Sequence, residues 1–513
     1  MDHVLAVDQG TSATKCVLVD AAGRIVAKAA ASIGERYPEP GWVEQDAEGI
    51  WASVRTAVAQ CLAQREEARV VAVGLSTQRE SALLWRRDGA RALTPLLSWQ
   101  DQRTVKLRDQ LAAAGGEAMV RARSGLPLDP MFSALKIRWL LDRHDPDRQA
   151  ARRGDLRAGT VDAWLLARLG GDDAIEVGNA SRTQLLDVHR ATWDDELLRL
   201  FDVPRAALPQ VVPSLARRAD AAALHPALAG VPVHAVMADS HAALFAHGVR
   251  EPGDVKATMG TGSSVMALAP SGAPVHPGLC LTIAWDAGSG PCLALEGNIR
   301  SAGATLRWAA ELFGLDADAA AAEAANDDPA SVCLVPAFNG LGAPHWDAHA
   351  VALISGLTLS TSRAQILAAA LDSIAHQVAD VLDAMDAIGA TNTTNSTGTT
   401  GTTGTTGTSR AGVRRLLLDG GPSRNAGLRA TLAAYIGRPV VHCTDPELSA
   451  LGVAHLAGVG AGLWDVAALR ELPRAQRITP VPAESGRAIR DARAQWAQAV
   501  ARSRLAPGVA PAH

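Results

Sequence analysis

Residues 4–15 read VLAVDQGTSATK. The apolar run Val4 to Val7 is a short buried-type strand, and it stops at Asp8-Gln9-Gly10-Thr11, a turn signal. A second apolar run, Cys16 to Val19, meets another turn at Asp20 to Gly23, and Arg24 to Ala31 reads as a third strand. The start is therefore a three-stranded meander with a carboxylate at the end of its first strand. Glycine lets a backbone approach phosphate, and exposed N–H groups and hydroxyls bind phosphate oxygens. A carboxylate there can hold Mg²⁺ through water. Lys15 adds positive charge. The other reading of the same residues is a plain hairpin turn.

Working outward, Gly49 to Gln64 carries apolar residues at helical spacing, and Val70 to Leu75 is a further strand. Strands followed by helices recur, so the class is α/β. The pattern starts again after residue 250. Gly253 to Met259, Ser264 to Leu268, Leu279 to Ala284 and Cys292 to Leu295 read as strands, and Ala302 to Leu312 as a helix. The second half opens with MGTGSSVM at residues 259–266, again a Gly-Thr turn after a strand. Two related halves facing each other are expected, dividing near His247 to Gly253 into domains 1–248 and 249–505. There is no GxxxxGK[ST] loop. The stretch 391–408 is almost all Thr, Gly, Asn and Ser, between a helix predicted over Ile366 to Ile388 and a strand over Val413 to Leu418. Small polar residues bury too little surface to order themselves, so a surface loop is expected.

Other candidate groups sit at strand ends. Gln78-Arg79-Glu80 follows the strand Val70 to Leu75, and Trp99-Gln100-Asp101 comes soon after. Adjacent Arg and Glu supply the donors and acceptors that polyol hydroxyls require. A surface ion pair and a core tryptophan are the alternative. Asp239 follows the apolar strand Val231 to Met237, close to the division between halves. It suits catalysis and equally suits a helix N-cap. Asp419-Gly420-Gly421, with Asn425 beyond, is a strand, Gly-rich turn and helix that a nucleotide or a simple turn would each explain.

The bulk numbers bound the function. With 513 residues the chain is too long for one core, which fits two domains. A net charge of −4 gives no bulk attraction to nucleic acid or an anionic membrane. The six cysteines are scattered without metal-ligand spacing, so buried free thiols in a reducing compartment are expected. No apolar run reaches the roughly 20 residues that span a bilayer, and MDHVLAVDQG has no signal-peptide pattern, so a cytoplasmic protein is expected.

In order along the chain, LAVDQGTSATK, YPEPGWVEQDAEGIW, GLSTQRES, SWQDQRT, SGLPLDPMFSALKIRWLLD, GTVDAWLL, GNASRTQLLDVHRATWDDELL, ADSHAALFAHG, MGTGSSV, ALEGNIRSAGATLRW, VPAFNGLGAPHWD, LDGGPSRNAGL and ELSALGVAHLAG together resemble the FGGY carbohydrate kinases, and among them the glycerol kinases. The resemblance implies two actin/RNase H-like ATPase domains around a central cleft. The first would bind polyol and carry the base, and the second would bind nucleotide. It further implies MgATP as phosphoryl donor and a homodimer or homotetramer. By motif, Asp239 resembles the general base and Asp8 the metal-associated carboxylate. Thr11, Ser12, Lys15, Gly260, Thr261, Gly303, Arg307, Gly421 and Asn425 resemble ATP contacts. Arg79, Glu80, Trp99, Met131, Asp239, Ser240 and Ser264 stand at substrate positions.

The chain departs from the glycerol-kinase pattern at Met131 (usually Tyr), Ser240 (usually Gln), Ser264 (usually Phe), Lys15 (usually Arg) and Arg307 (usually Gln). The glycine-and-arginine loop that binds fructose 1,6-bisphosphate in some relatives is short here, at Leu228 to Pro232. The serines leave more room, so a C4 or C5 polyol or a ketose is the alternative to glycerol. Two non-enzyme classes are the further alternatives: an actin/Hsp70-like switch ATPase, which would need no polyol contacts at Arg79, Glu80 and Trp99, and a substrate-binding sensor that has lost catalysis, which would not need Asp239.

Overall fold

The computed structural model describes residues 1–170, 173–270, 272–324, 329, 332–395, 412–445, 447–470, 472, 475–482 and 486–504. The chain forms two compact units. The first comprises Met1–Gly248, Leu281–Ala294 and Glu447–Pro473; the second comprises Val249–Cys280, Leu295–Pro446 and Arg474–His513. A single cut near residue 248 does not describe this division, because two later segments return to the first unit.

The first unit is built on strands β1 (Asp2–Gln9), β2 (Ala13–Asp20), β3 (Ile25–Ser32), β4 (Arg69–Thr77) and β5 (Val233–Ala238), in the sheet order β5-β4-β1-β2-β3. The meander β1-β2-β3 is antiparallel, and β4 and β5 add in parallel. Val4 to Val7 are wholly buried, and so are Cys16 to Val19. A continuous rather than alternating buried run means that both faces of the strand are covered. The helix Ala47–Leu62 packs on β2 and β3, and the helix Leu448–Gly460 packs on β1, β4 and β5. Asp46 caps the first of these by accepting from Gly49 N, which places its start two residues before the Gly49 expected from periodicity.

The second helix can lie so close because glycine lines the contact. A Cβ on Gly74 of β4 would fall 2.6 Å from the Val453 carbonyl, and one on Gly452 would fall 1.8 Å from the Ala242 carbonyl.

The second unit repeats the strand pattern. β6 (Asp254–Met259) and β7 (Ser263–Leu268) are antiparallel, β8 (Pro291–Ile299) neighbours β7, and β9 (Arg415–Gly420) pairs in parallel with β6. β10 (Val440–Cys443) then pairs in parallel with β9. The helix Arg363–Asn395 runs beyond the predicted Ile388 end and takes in the first residues of the Thr/Gly-rich stretch. The rest of that stretch, 396–408, lies outside the described residues. All six cysteines are free thiols, five of them buried. Among the described residues no helix is long and apolar enough to cross a membrane.

The Gly452 contact is the most confined of the first unit's helix packing. Gly452→Ala is expected to cost about 3 kcal/mol or more, since backbone rather than a flexible side chain must give way. A denaturation midpoint unchanged from the parent would refute the close approach.

Candidate active site

The site in the first unit follows from strand register. Asp8 on β1 lies opposite Ser76 on β4, and Ser76 lies opposite Met237 on β5. Three parallel strands thus end together, and the residues just beyond them gather at one carboxyl edge. This is where open α/β sheets place ligands. Asp8 is the penultimate residue of β1, Arg79 and Glu80 follow β4, and Asp239 follows β5.

Asp8 is held by a hydrogen bond from Ser76 Oγ at 2.9 Å. Burial first, and then the Asp239 carboxylate, push its carboxyl up to about 7, against the opposing pull of Lys15 and Ser76. Asp239 is the first residue of the helix Asp239–Ala246, with Ala238 in the cap position, so the N-cap alternative does not hold. Its Oδ1 accepts from Ser240 N at 2.5 Å and lies 3.3 Å from Arg79 Nε.

Arg79 and Glu80 are both buried, which removes the surface-pair reading. Nor are they chiefly each other's partners. Arg79 Nε is 3.8 Å from Glu80 Oε1, whereas Arg182 Nε reaches that oxygen at 2.6 Å. Glu80 has a positive φ of 61°, a conformation that is costly for a residue with a Cβ. Its carbonyl accepts from Ser133 Oγ at 3.0 Å.

Trp99 is half-buried rather than a core residue. Its indole N–H donates to Thr11 Oγ1 at 3.0 Å, and its backbone N–H donates to Ser81 Oγ. The turn after β1 and the Gln78-Arg79-Glu80 segment are thereby joined. Gln45 Nε2 donates to Thr11 O, and Gln78 Nε2 donates to Gln45 Oε1. Ser12 is exposed at the turn. Lys15 Nζ pairs with Glu447 Oε2 at 2.9 Å. Burial opposes its charge, but Glu447 and Asp8 outweigh that and raise the ammonium above its ordinary value. Met131 is half-buried, and its N–H donates to Asp129 Oδ1 at 2.9 Å.

The second unit holds the remaining candidates. Gly303 N donates to Gly260 O at 2.9 Å, and Ala304 N donates to Thr261 O at 3.1 Å, so the helix Gly303–Leu312 begins on the Gly260-Thr261 turn. A Cβ on Gly303 would meet Gly260 O at 2.6 Å and Pro422 Cγ at 3.1 Å. Residues 260–261, 303 and 421–422 therefore form one small-residue cradle in which backbone lies open to a ligand. Gly421 precedes the turn Pro422–Arg424, and Asn425 caps the helix Ala426–Ile436 through Leu428 N. Arg307 is exposed on its helix. Ser264 Oγ donates to the buried Glu296 Oε1 at 2.7 Å.

Sequence reasoning missed Ser76, Arg182 and Glu447. All three stand inside or beside quoted motifs, yet each matters through a partner at least 68 positions away, which spacing alone does not show.

The five-stranded sheet of the first unit, and the run β10-β9-β6-β7-β8 within the seven-stranded sheet that contains β6, have the strand order of the actin/RNase H-like ATPases. Residues 3–246 match the N-terminal domain, and residues 255–461 the C-terminal domain, of the FGGY family of carbohydrate kinases. The chain belongs to that family. Apulose kinase of Pectobacterium atrosepticum is 38% identical, covering 98% of this chain and 99% of its own length. A glycerol kinase of Geobacter sp. is 39% identical, covering 91% of this chain and 92% of its own. The structure of Plasmodium falciparum glycerol kinase with ADP superposes with a TM-score of 0.87 at 25% identity, covering 98% of both chains.

Glu80 is buried, and the Arg182 guanidinium is its shortest ion-pair contact. Arg182→Leu strands much of that charge and is expected to lower stability by about 3 kcal/mol. Urea denaturation at neutral pH measures it, and a loss under about 1 kcal/mol would show that Arg79 alone suffices for Glu80.

Proposed function

We propose that the protein transfers the γ-phosphoryl group of ATP to a primary hydroxyl of a small polyol in the manner of glycerol kinase, with Asp239 as general base. The observation that carries this is the meeting of Asp8, Arg79 and Asp239 at one strand edge. Asp8 and Asp239 disfavour each other's charge. Such a pair suits Mg²⁺, which takes one or two carboxylates and completes its shell with phosphate oxygens and water. Bound MgATP supplies the phosphoryl group and the divalent charge that neutralises it. Asp8 would hold the cation, directly or through water. Within the first unit Thr11, Ser12 and Lys15 are the proposed nucleotide contacts; the second unit has its own proposed set, Gly260, Thr261, Gly303, Arg307, Gly421 and Asn425.

Asp239 Oδ1 is aligned by Arg79 and by Ser240 N, and the carboxylate so held would accept the proton of the attacking hydroxyl. Glu80 and Arg79 present an acceptor and a donor to neighbouring hydroxyls, and Trp99 presents a ring to C–H groups. Asp239→Asn keeps this shape and removes the proton acceptor. The expected result is a kcat fall of about 10²-fold or more with the KM for ATP little changed. A variant with near-parental kcat at saturating substrates would remove Asp239 from the role.

A second reading concerns substrate size. Met131, Ser240 and Ser264 replace the larger or more polar residues of the glycerol-kinase pattern, and the relatives include an apulose kinase at 38% identity. A site enlarged for a C4 or C5 polyol or a ketose would handle glycerol about 10–200-fold less well in kcat/KM. An ADP-release panel of glycerol, erythritol, ribitol, xylitol, apulose and related ketoses decides between them. Glycerol leading by tenfold would rule out the larger substrate.

A further inference from the structure

Lys136 is the fourth residue of the helix Ser133–His144 and is completely buried. A cation in the opening turns of a helix opposes the macrodipole, and a buried charge needs full compensation. Here the compensation is local. Nζ donates to the carbonyls of Pro130 at 2.7 Å, Met131 at 2.6 Å and Phe132 at 3.2 Å. An ammonium has three N–H donors, and three consecutive carbonyls turn inward to meet them. Asp129 holds the same segment from its other side, accepting from Met131 N at 2.9 Å. The backbone of Met131 is thus fixed at both its N–H and its C=O.

The flanks are tied as well. Gln184 Nε2 donates to Pro127 O, Ala134 N donates to Thr183 O, and Ser133 Oγ donates to Glu80 O. The last of these joins the segment to the proposed substrate contacts.

We propose that Lys136 is a positioning residue for specificity: without touching the substrate, its ammonium sets the place of residue 131 and so the fit of the carbohydrate. This rests on the reading above of Arg79, Glu80 and Met131 as substrate contacts. The charged groups around it are Asp101, Glu80 and Asp129, which favour the ammonium, and Arg103, which opposes it. Burial outweighs them and pushes Lys136 down to about 8. Above that pH the neutral amine has two N–H donors for three carbonyls, and the segment loosens. Over the same window this group's own linkage raises folding stability, because the unfolded chain, at 10.5, still holds the proton that the folded chain has released. Weaker substrate binding there is therefore not unfolding.

The test is steady-state kinetics of the full chain and of Lys136→Met between pH 7 and 9.5, varying the best carbohydrate and ATP separately. Lys136→Met is expected to raise the carbohydrate KM by about tenfold or more, with the ATP KM and kcat within about threefold. The parent's carbohydrate KM is expected to climb through pH 8, and that of the variant to stay flat. A carbohydrate KM unchanged in the variant, or a parent profile flat to pH 9.5, overturns the proposal. If the variant does not fold, the parent profile decides alone. Arg79→Ala and Met131→Ala separate the two levels. If they raise the carbohydrate KM and Lys136→Met does not, the positioning role alone fails. If none does, the placement of the substrate fails and the role with it.

Discussion

The register of three parallel strands is the constraint on which the first unit depends. Asp8, Ser76 and Met237 lie abreast, so the chain leaves β1, β4 and β5 at one level. A slip of one residue would turn the Asp8 side chain to the other face and bury it against helices. Everything chemical there is a consequence of this alignment: the Ser76 bond to Asp8, the approach of Arg79 to Asp239, and the mutual repulsion of two carboxylates. The second unit repeats the arrangement, with Thr258 opposite Asp419 and Met259 opposite Gly420. In each unit the antiparallel hairpin supplies a Gly-Thr turn, and the parallel strands supply the residues beside it.

Much of this was legible in the sequence because it is local. Val4 to Val7 and Cys16 to Val19 are unbroken apolar runs between turn residues, and that pattern fixes strands and their ends. Asp8, Asp239 and Arg79 were legible as candidates because each stands one to four residues past such a run. Ordered motifs along nearly the whole chain then resembled a single family, and matches to both of its domains bear the family out. What stayed hidden was long-range. Arg79 beside Glu80 looked like a pair, and only the fold shows Arg182 taking that carboxylate. Composition marked 391–408 as one loop, but helix packing over Arg363 to Ile388 carries the helix past that boundary. The family's domain matches, 3–246 and 255–461, fall on either side of residue 248, while compactness also groups Glu447–Pro473 with the first unit, and no local signal tells a helix which sheet it will cover.

That return has a consequence for biosynthesis. Chains emerge at about 5–20 residues per second, and the first 248 residues leave the ribosome about 10–40 seconds before residue 447 does. During that interval β1, β4 and β5 lack the helix Leu448–Gly460, and the groove around Gly74 stands open as bare apolar surface beside unfilled backbone. The nascent first unit is thus obliged to wait, half-clad, for a segment encoded near the end of the message. Vectorial folding of this enzyme cannot proceed one domain after the other, and a stalled or prematurely terminated chain would present to chaperones and proteases the very face that the mature protein conceals.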